Sequence, residues 1–132
     1  MRARLSKKII LEFEHPKDEI IVYINNQLFS WSLENIIKNS IDSIKNTGEV
    51  KISIIEENEY LKIYISDNGI GIKQSIKNKI FNPGVTTKER GWGLGLSLSK
   101  RIIEEYHNGE IKLIESIVGQ GTKMLIKLKT VK

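Results

Sequence analysis

The chain of 132 residues has no cysteine, two prolines and only 7% aromatic residues. The absence of cysteine excludes a disulfide framework and a thiolate metal site, and it is compatible with a reducing compartment. No apolar run reaches the roughly eighteen residues that a membrane helix requires, and the basic residues 1–8 lack the apolar core of a signal peptide. The chain length and a hydrophobic content of 39% fit one compact, soluble domain with a single core.

Neither sign of charge dominates the sequence. The 21 lysines and arginines exceed the 16 aspartates and glutamates, which gives a net charge of +5. A basic balance is compatible with nucleic acid, but the lysines are scattered among glutamates and the chain carries no RNA- or DNA-binding signature. We therefore expect a solvated charged surface and no nucleic-acid partner.

Apolar and alternating runs predict six strands in three pairs. The pairs are 9–14 with 20–24, 51–54 with 61–65, and 110–115 with 123–129. The first pair is predicted to be a hairpin, because only the turn sequence His15-Pro16-Lys17-Asp18 separates its two runs. Asp67 then lies just past the end of the fourth predicted strand.

Two helices are predicted from apolar residues spaced by three and four. The first spans 27–46, and the second spans 94–106 with one apolar face made of Leu94, Leu98, Ile102 and Tyr106. Between the last two predicted pairs of strands, residues 73–92 are polar and glycine-bearing, with one or two helical turns around 74–80. A connection of this length in a small domain is typical of a functional lid. The order of elements predicts a mixed sheet with helices on one face.

Two glycine clusters are the strongest signal of a binding site. The first is Asp67-Asn68-Gly69-Ile70-Gly71, and the second runs from Gly91 to Leu96 at the start of the second predicted helix. Glycine allows the backbone to approach a ligand closely, and amides at a helix start attract anions, so we expect a phosphate near Gly93 and Gly95. Neither cluster has the spacing of a P-loop or of a dinucleotide fingerprint.

The first predicted helix carries a polar stripe beside its apolar stripe. Asn35, Asn39 and Asp42 share one side of the helix, away from the apolar stripe centred near Ser40 and Leu33. An amide oxygen is a hard, neutral ligand that suits Mg²⁺ bound together with phosphate. The residues alone leave two readings open, a ligand-facing stripe and a solvated polar face.

Five motifs follow one another between residues 34 and 122. They are 34–43 around Asn35 and Asn39, 67–72 around Asp67, 80–84 around Phe81, 86–97 from Thr86 to Ser97, and 119–122 around Gly121. In this order they resemble the asparagine box, the first glycine box, the phenylalanine box, the lid with the second glycine box, and the last glycine motif of sensor histidine kinases. One motif alone would be a weak signal, but five in the family's order are specific.

The resemblance implies the Bergerat fold, a two-layer α/β sandwich. Its sheet is mixed and mostly antiparallel, its helices pack on one face, and a mobile lid covers ATP. Residues 9–132 would then form a single ATP-binding catalytic domain, and residues 1–8 would be the remnant of an interdomain linker.

The resemblance also implies roles for individual residues. Asp67 would accept a hydrogen bond from the adenine amino group, assisted by Thr122, and Asn39 would hold Mg²⁺. Asn35 would contact phosphate oxygens, and Lys88 would either do the same or be solvated. The full set implied to bind the nucleotide is Asn35, Asn39, Asp67, Gly69, Gly71, Ile72, Phe81, Thr87, Lys88, Gly91, Gly93, Leu94, Gly95, Leu96, Gly121 and Thr122. Phe81 would chiefly pack in the core and set the position of the lid, and no side chain would act as nucleophile or base.

The implied function is transfer of the γ-phosphate of Mg-ATP to a histidine on a separate dimerisation and phosphotransfer domain, with a response regulator further along. We expect a cytoplasmic domain, either free or part of a membrane-anchored kinase, that makes no membrane contact itself. Neither His15, in a turn, nor His107, at a helix end where it favours the dipole, resembles the acceptor histidine.

A second departure, besides the missing acceptor histidine, a comparison with a related branch and two alternatives qualify this resemblance. Many family members have a basic and an aromatic residue where this chain has Asp42 and Ser43. Related gyrase, chaperone and mismatch-repair ATPases have a glutamate where this chain has Asn35, and that glutamate activates water, so the resemblance favours transfer over hydrolysis. An anti-sigma-type serine kinase and a non-catalytic nucleotide-binding module remain open as alternatives.

Overall fold

The computed structural model describes residues 7–83 and 95–131. In these residues five strands form one sheet: β1 (Lys8–Glu14), β2 (Thr47–Glu57), β3 (Tyr60–Asp67), β4 (Glu110–Ile117) and β5 (Gly121–Lys129). Their order across the sheet is β1-β2-β3-β5-β4. β1 and β2 are parallel, and the other three neighbouring pairs are antiparallel. The predicted mixed and mostly antiparallel sheet is confirmed.

Two helices pack on one face of this sheet. α1 (Asn26–Asp42) begins at the N-cap Asn25, whose side-chain oxygen accepts a hydrogen bond from the backbone N–H of Leu28. α2 (Gly95–Arg101) continues into a π-helical turn, Ile102–Tyr106. A short 3₁₀ helix, Gln74–Lys79, lies where one or two helical turns were predicted. No helix among the described residues is long and apolar enough to span a bilayer.

The core lies between the helices and the inner face of the sheet. Alternate residues of the central strands point into it, as a half-buried sheet requires. The hydrophobic residues with the least exposure are Ile36 of α1, Ile103 of the π-helical turn, and Val50, Ile52, Ile65 and Ile126 of the strands. Each such side chain contributes roughly 1.5–3 kcal/mol by its removal from water. This single layer of branched aliphatic residues accounts for the compact domain predicted from length and composition.

The predicted hairpin of residues 9–14 and 20–24 is wrong. Residues 20–24 belong to no strand, and β1 pairs instead with β2, which follows α1 in the chain. Ile20 and Val22 pack against the core, while the side chain of Tyr23 is 83% exposed. The alternating pattern therefore marks an extended segment that lies on the core. Periodicity alone cannot distinguish such a segment from a strand, because it contains no information about ladder partners.

The predicted apolar face of the second helix is confirmed only in part: Ile102 is buried, but two of its other members are not. Leu98 is 39% exposed and Tyr106 is 64% exposed, whereas Ser99 and Ile103 are fully buried. Leu94 lies outside the described residues. Ser99 contacts α1 here, and a small side chain allows two helices to approach closely. The π-helical turn then changes the direction of the residues that follow it.

Candidate functional site

Asp67 lies at the end of β3, opposite Thr122 of β5. Its Oδ1 accepts a hydrogen bond from the backbone N–H of Gly69 at 2.9 Å and from the Ser43 hydroxyl at 3.2 Å. Ser43 is the C-cap of α1. The carboxylate is therefore held between the end of α1 and the first glycine loop, at one end of the sheet.

Burial raises the pKa of the Asp67 carboxyl above its usual range. Hydrogen bonds oppose this effect by stabilising the ionised form; they come from the Gly69 backbone, the hydroxyls of Ser40 and Ser43, and the Thr122 backbone. Because burial outweighs them, the ionised carboxylate is under-solvated for its charge. A ligand that brings a further hydrogen-bond donor to this carboxylate would relieve that deficit.

The first glycine loop is fixed by backbone hydrogen bonds on both sides. The N–H of Ile70 donates to the carbonyl oxygen of Ser43 at 3.0 Å, and the carbonyl oxygen of Ile70 accepts from the N–H of Gly119 at 2.9 Å. The N–H of Ile72 donates to the Ser116 hydroxyl at 2.8 Å. The loop therefore connects α1 to the β4–β5 turn, and the motifs at 67–72 and 119–122 are in contact.

Three glycines at this end of the sheet have no room for a side chain. A Cβ on Gly69 would overlap the Ser43 hydroxyl, and a Cβ on Gly121 would overlap the Asp67 carbonyl oxygen. Gly71 and Gly121 also have φ values of +79° and +131°, which L side chains rarely adopt. The predicted glycine positions thus allow two loops to pack directly against each other beside Asp67.

Ser116 is a site residue that the sequence analysis missed. Its side chain is buried, and its hydroxyl lies 2.7 Å from the Thr122 hydroxyl and 3.2 Å from the carbonyl oxygen of Gly121. A register shift in β4 between Leu113 and Glu115 precedes it, and Ser116 comes to pair with Thr122. No sequence signal marks this bulge. Ser40, whose hydroxyl hydrogen-bonds to Asp67, was also missed, although its place at the centre of the apolar stripe of α1 could have identified it.

The polar stripe of α1 is only partly solvated. Asn35 and Asn39 are half-buried, and Asp42 is exposed. The amide nitrogen of Asn35 donates to the hydroxyl of Ser99 on α2 at 3.2 Å. For Asn35, the alternative of a freely solvated face is therefore wrong.

The residues present fit Mg²⁺ only when it is bound together with a nucleotide. Among the described residues, no three His, Cys, Asp or Glu side chains group together as a metal site would require. Mg²⁺ in nucleotide sites keeps several waters and takes phosphate oxygens, so one amide oxygen, that of Asn39, is a chemically adequate protein ligand.

The remaining predicted residues fall into two groups. Thr87, Lys88, Gly91, Gly93 and Leu94, and with them residues 84–92 of the predicted lid, lie outside the described residues. Leu96 and Phe81 are partly buried against the core, and the Lys100 ammonium lies 5.4 Å from the centre of the Phe81 ring. Core packing of Phe81 is thus confirmed, and its influence on the lid stays a prediction.

Known proteins share this sequence pattern. A profile of the histidine kinase-, DNA gyrase B-, and HSP90-like ATPase family matches residues 27–132. Nitrogen regulation protein NtrY of Azorhizobium caulinodans is 37% identical over 112 residues, which cover 80% of this chain and 14% of NtrY. Sporulation kinase D of Bacillus subtilis is 43% identical over 94 residues, which cover 71% of this chain and 18% of that kinase. The chain thus spans less than a fifth of either relative.

Solved structures share the fold. The catalytic domain of histidine kinase ThkA, in a nucleotide-free form, superimposes with a TM-score of 0.82 at 27% identity and covers 94% of this chain and 82% of that one. The mycobacterial sensor histidine kinase MprB gives a TM-score of 0.81 at 19% identity, with 92% and 84% covered, and supports the fold alone. The chain belongs to the histidine kinase-, DNA gyrase B-, and HSP90-like ATPase family, as an ATP-binding catalytic domain of the sensor histidine kinase type.

Proposed function

We propose that this domain binds Mg-ATP and donates its γ-phosphate to a histidine on a separate dimerisation and phosphotransfer domain. The observation that carries the proposal is the under-solvated Asp67 carboxylate, held at the end of the sheet between two glycine loops. An adenine amino group is a donor that would satisfy it. Membership of an ATPase family whose relatives here are sensor kinases supports the same function.

Asp67 and Thr122 would recognise the base. A carboxylate that can only accept hydrogen bonds selects an amino purine over a keto purine, because a keto oxygen would face it without a proton. Thr122 lies opposite Asp67 in the sheet, and its hydroxyl is oriented by Ser116. Gly69, Gly71, Ile72 and Gly121 would form the close-packed backbone around the base.

The phosphates would lie toward α1 and the start of α2. Asn39 would hold Mg²⁺, which neutralises phosphate charge when bound. The backbone amides of Gly95 and Leu96 would contact phosphate oxygens. Further contacts would come from Thr87, Lys88, Gly91, Gly93 and Leu94, which lie outside the described residues.

In the transfer step, a lone pair of the acceptor imidazole forms a bond to the γ-phosphorus. The bond between that phosphorus and the bridging oxygen breaks, and its electron pair leaves with ADP. The domain would contribute position and charge complementarity to a loose transition state. Position 35 holds an amide where a hydrolytic ATPase has a general base, so water gains no activation there.

The acceptor would be on another domain because the nitrogens of His107 are already engaged. Its Nε2 accepts from the N–H of Asn25 at 2.9 Å, and its Nδ1 lies 2.9 Å from the carbonyl oxygen of Ile102. His15 is exposed in a turn. We propose residues 9–132 as the catalytic unit of a cytoplasmic or membrane-anchored kinase, with residues 1–8 as a linker and a response regulator as the final phosphate acceptor. This unit would contact neither nucleic acid nor membrane.

Calorimetric titration with Mg²⁺ and a non-hydrolysable ATP analogue tests the binding site. We expect the native chain to bind, and Asp67→Ala and Asn39→Ala each to weaken binding by about tenfold or more, since hydrogen bonds to charged groups contribute roughly 1.5–3 kcal/mol. Unchanged affinity in both variants would show that the assigned roles are wrong.

A transfer assay tests the reaction. The chain is mixed with labelled ATP and the purified dimerisation and phosphotransfer domain of sporulation kinase D, which is 43% identical to this chain over 94 residues. Acid-labile label on the histidine of that domain is the expected result. Acid-stable label on serine would favour an anti-sigma-type kinase, and tight nucleotide binding without transfer would favour a non-catalytic module.

A further inference from the structure

The strand β1 forms one edge of the sheet and is not protected against pairing with another chain in the way that the opposite edge is. Among the residues that the structure describes, β1 pairs only with β2, without interruption from Lys8 to Glu14. Natural edge strands are commonly blunted by proline, by a bulge or by a charged side chain that points inward. The opposite edge, β4, has a bulge between Leu113 and Glu115. β1 has no bulge and no proline, so nothing in its own sequence prevents a further strand from pairing there.

The backbone groups on the free side of β1 belong to alternate residues. The N–H of Lys8 donates to the carbonyl oxygen of Asn46 at 2.8 Å, so the backbone groups of Lys8 point toward β2. Because the backbone groups of successive residues in a strand point to opposite sides, those of Ile9, Leu11 and Phe13 point to the free side. A row of such N–H and C=O groups is a template for another strand.

The side chains of the same three residues lie on the face of the sheet that carries the helices. Leu11 is in register with Val50, which is fully buried, and Phe13 is in register with the core residue Ile52. Ile9 packs against the core, but Leu11 is 50% exposed and Phe13 is 58% exposed. The apolar layer of the core therefore continues to the edge of the sheet, where it is still half in contact with water. A second strand at this edge would cover it.

The sequence of β1 is complementary to its own reverse. In an antiparallel pair of two copies with Leu11 opposite Leu11, Lys8 of each copy lies opposite Glu14 of the other, and Ile9 lies opposite Phe13. Residues directly opposite each other share one face of a sheet, so the pairing creates opposite-charge pairs on the outer face and apolar pairs on the inner face. Pairs of both kinds stabilise antiparallel sheets.

The same register also satisfies the backbone. Leu11 faces Leu11 and Ile9 faces Phe13, so the residues with outward backbone groups lie opposite one another, and each such pair exchanges two hydrogen bonds. A shift by one residue would place these groups opposite residues whose own groups are engaged by β2. A shift by two residues either brings Glu12 opposite Glu12, which repel, or leaves Glu14 without a partner in the strand. One register is therefore favoured over its neighbours.

We propose that β1 is a self-association site, at which two copies of this chain pair antiparallel and join their five-stranded sheets into one. The contact is isologous, because the same strand serves on both copies, and it closes at two copies. β2 separates β1 from β3, so the end of β3 that carries Asp67 stays outside the contact, and the inference stands independently of the proposed function. An interface of one strand per copy is small, so the dimer belongs to the weak, transient class.

Sedimentation equilibrium of the full chain, from about 10 µM to 1 mM, measures this association. We expect the native chain to pass from monomer toward dimer over this range. Leu11→Lys should raise the dissociation constant by about tenfold or more, because two ammonium groups would face each other at the centre of the contact. A chain that stays monomeric throughout would leave this edge to a strand of another protein and would overturn the proposal.

Ile10→Lys is the matched control in the same strand. The side chain of Ile10 is 61% exposed on the outer face, and the proposed register places it opposite Glu12 of the second copy. A lysine there should leave the dissociation constant unchanged or lower it. Far-UV circular dichroism of both variants establishes that they are folded. Equal weakening by Ile10→Lys and Leu11→Lys would indicate association through unspecific apolar contact and would overturn the proposal.

Exchange of charges tests the register without touching the apolar residues. Lys8→Glu and Glu14→Lys should each raise the dissociation constant by about tenfold, because symmetry changes two pairs at once and each pair contributes up to about fivefold. Glu14 also contacts Lys51 of its own chain at 3.1 Å, so the single variants do not isolate the contact between copies. An equal mixture of the two variants does, since it restores opposite charges at both pairs. We expect the mixture to associate as the native chain does; a mixture as weak as either variant alone would overturn the proposed register.

Disulfide trapping gives the geometry directly, because the native chain has no cysteine. In the proposed register the Cα atoms at position 11 of the two copies lie about 5.5 Å apart, within the range that a disulfide spans. Those at position 10 are diagonal neighbours about 7–8 Å apart, beyond that range. Under a mild oxidant, Leu11→Cys should form covalent dimer at least about tenfold faster than Ile10→Cys. Equal rates would show that the two strands do not meet in this way, and the proposal would fail.

Discussion

Among single residues, Asp67 connects stability to binding most directly. Its carboxylate accepts from Gly69 and Ser43, yet burial still raises its pKa. The folded domain without ligand therefore holds a charge that would be better solvated in the unfolded chain. Strain of this electrostatic kind is common at binding sites, where a ligand removes it.

Asp67→Asn separates the effect of this carboxylate on stability from its effect on nucleotide binding. A carboxyl with a raised folded pKa stabilises the folded state fully below its unfolded pKa, and this contribution is lost as pH rises through the folded pKa. The pH range in which this stabilisation is lost therefore begins just above 3.8, the ordinary pKa of an aspartate carboxyl. We expect the native unfolding free energy, relative to Asp67→Asn, to fall between about pH 4 and pH 7. Urea unfolding of both proteins at both pH values measures this change. If the unfolding free energy of native protein rose with pH relative to that of Asp67→Asn, the prediction would be contradicted. Nucleotide affinity at pH 7 should fall by about tenfold or more.

Gly121→Ala tests the contact between the two glycine loops. The added methyl group would overlap the carbonyl oxygen of Asp67 at a φ of +131°. Gly119 is a matched control, because its φ is +85° but nothing lies within 4 Å of a Cβ there. We expect Gly119→Ala to lower the unfolding free energy by about 1 kcal/mol through backbone strain alone. Gly121→Ala should lower it by about 1–3 kcal/mol more and weaken nucleotide binding. If thermal unfolding showed the same loss of unfolding free energy in Gly121→Ala and Gly119→Ala, the two loops could separate without an energetic cost.

Among the elements, α1 is the one that connects the most parts of the domain. Its C-terminal end contacts Asp67 through Ser43, and its middle contacts α2 through Asn35. At its N-terminal end, the N–H of Asn25 donates to His107, whose ring also packs edge-on against Phe29 with centroids 5.6 Å apart. The geometry sets the histidine tautomer, with Nδ1 protonated toward Ile102 and Nε2 accepting.

His107→Ala should destabilise the domain. It removes both ring hydrogen bonds and the aromatic contact, which together contribute about 2–3 kcal/mol. Urea unfolding gives the total, and hydrogen exchange should show faster opening of residues 25–29 than of the rest of α1. His15→Ala, at an exposed histidine, is the control and should change stability by less than about 0.5 kcal/mol. Similar values for the two variants would mean that His107 is not part of this connection.

The elements that the sequence predicted correctly are those whose pattern depends on local burial. In α1, apolar residues recur at the helical period over many turns. In β2 and β3, buried and exposed residues alternate, and the two strands are joined by a two-residue turn at Asn58 and Glu59, both with positive φ. The hairpin failed because β1 pairs with β2 across the whole of α1, and parallel partners leave no local signal. The face of the second helix was only partly right, since Ile102 is buried but the buried Ser99 could not be recognised from hydropathy.

The candidate site divides in the same way. Asp67, Gly69, Gly71 and Gly121 carry a signal in the sequence, since an acid beside closely spaced glycines is unusual. Ser43 and Ser116 were missed because a serine acquires a role only through the groups that the fold places around it, whereas the place of Ser40 in the apolar stripe was visible in the sequence. Ser116 depends in addition on a bulge, which shifts the register of β4 by one residue.

At the scale of the whole molecule, sequence-distant segments meet at one end of the sheet. The carboxylate of β3, the start of β5 and the end of α1 are in contact there, and Asn35 reaches α2 one to two turns away. A ligand that touches all of them would bind only the folded state. The domain is thus suited to hold a nucleotide, whereas both of its histidines lie elsewhere in the fold.

The isolated chain should therefore not phosphorylate itself. Both nitrogens of His107 are within hydrogen-bonding distance of backbone groups, and phosphorylation at Nε2 would break its hydrogen bond with the N–H of Asn25, the N-cap of α1. His15 lies in an exposed turn. Incubation with labelled ATP and Mg²⁺, followed by alkaline electrophoresis, should show no labelled chain, whereas a phosphotransfer domain added to the same tube should become labelled. Label on His15 or His107, lost in His15→Ala or His107→Ala, would contradict transfer to a separate domain.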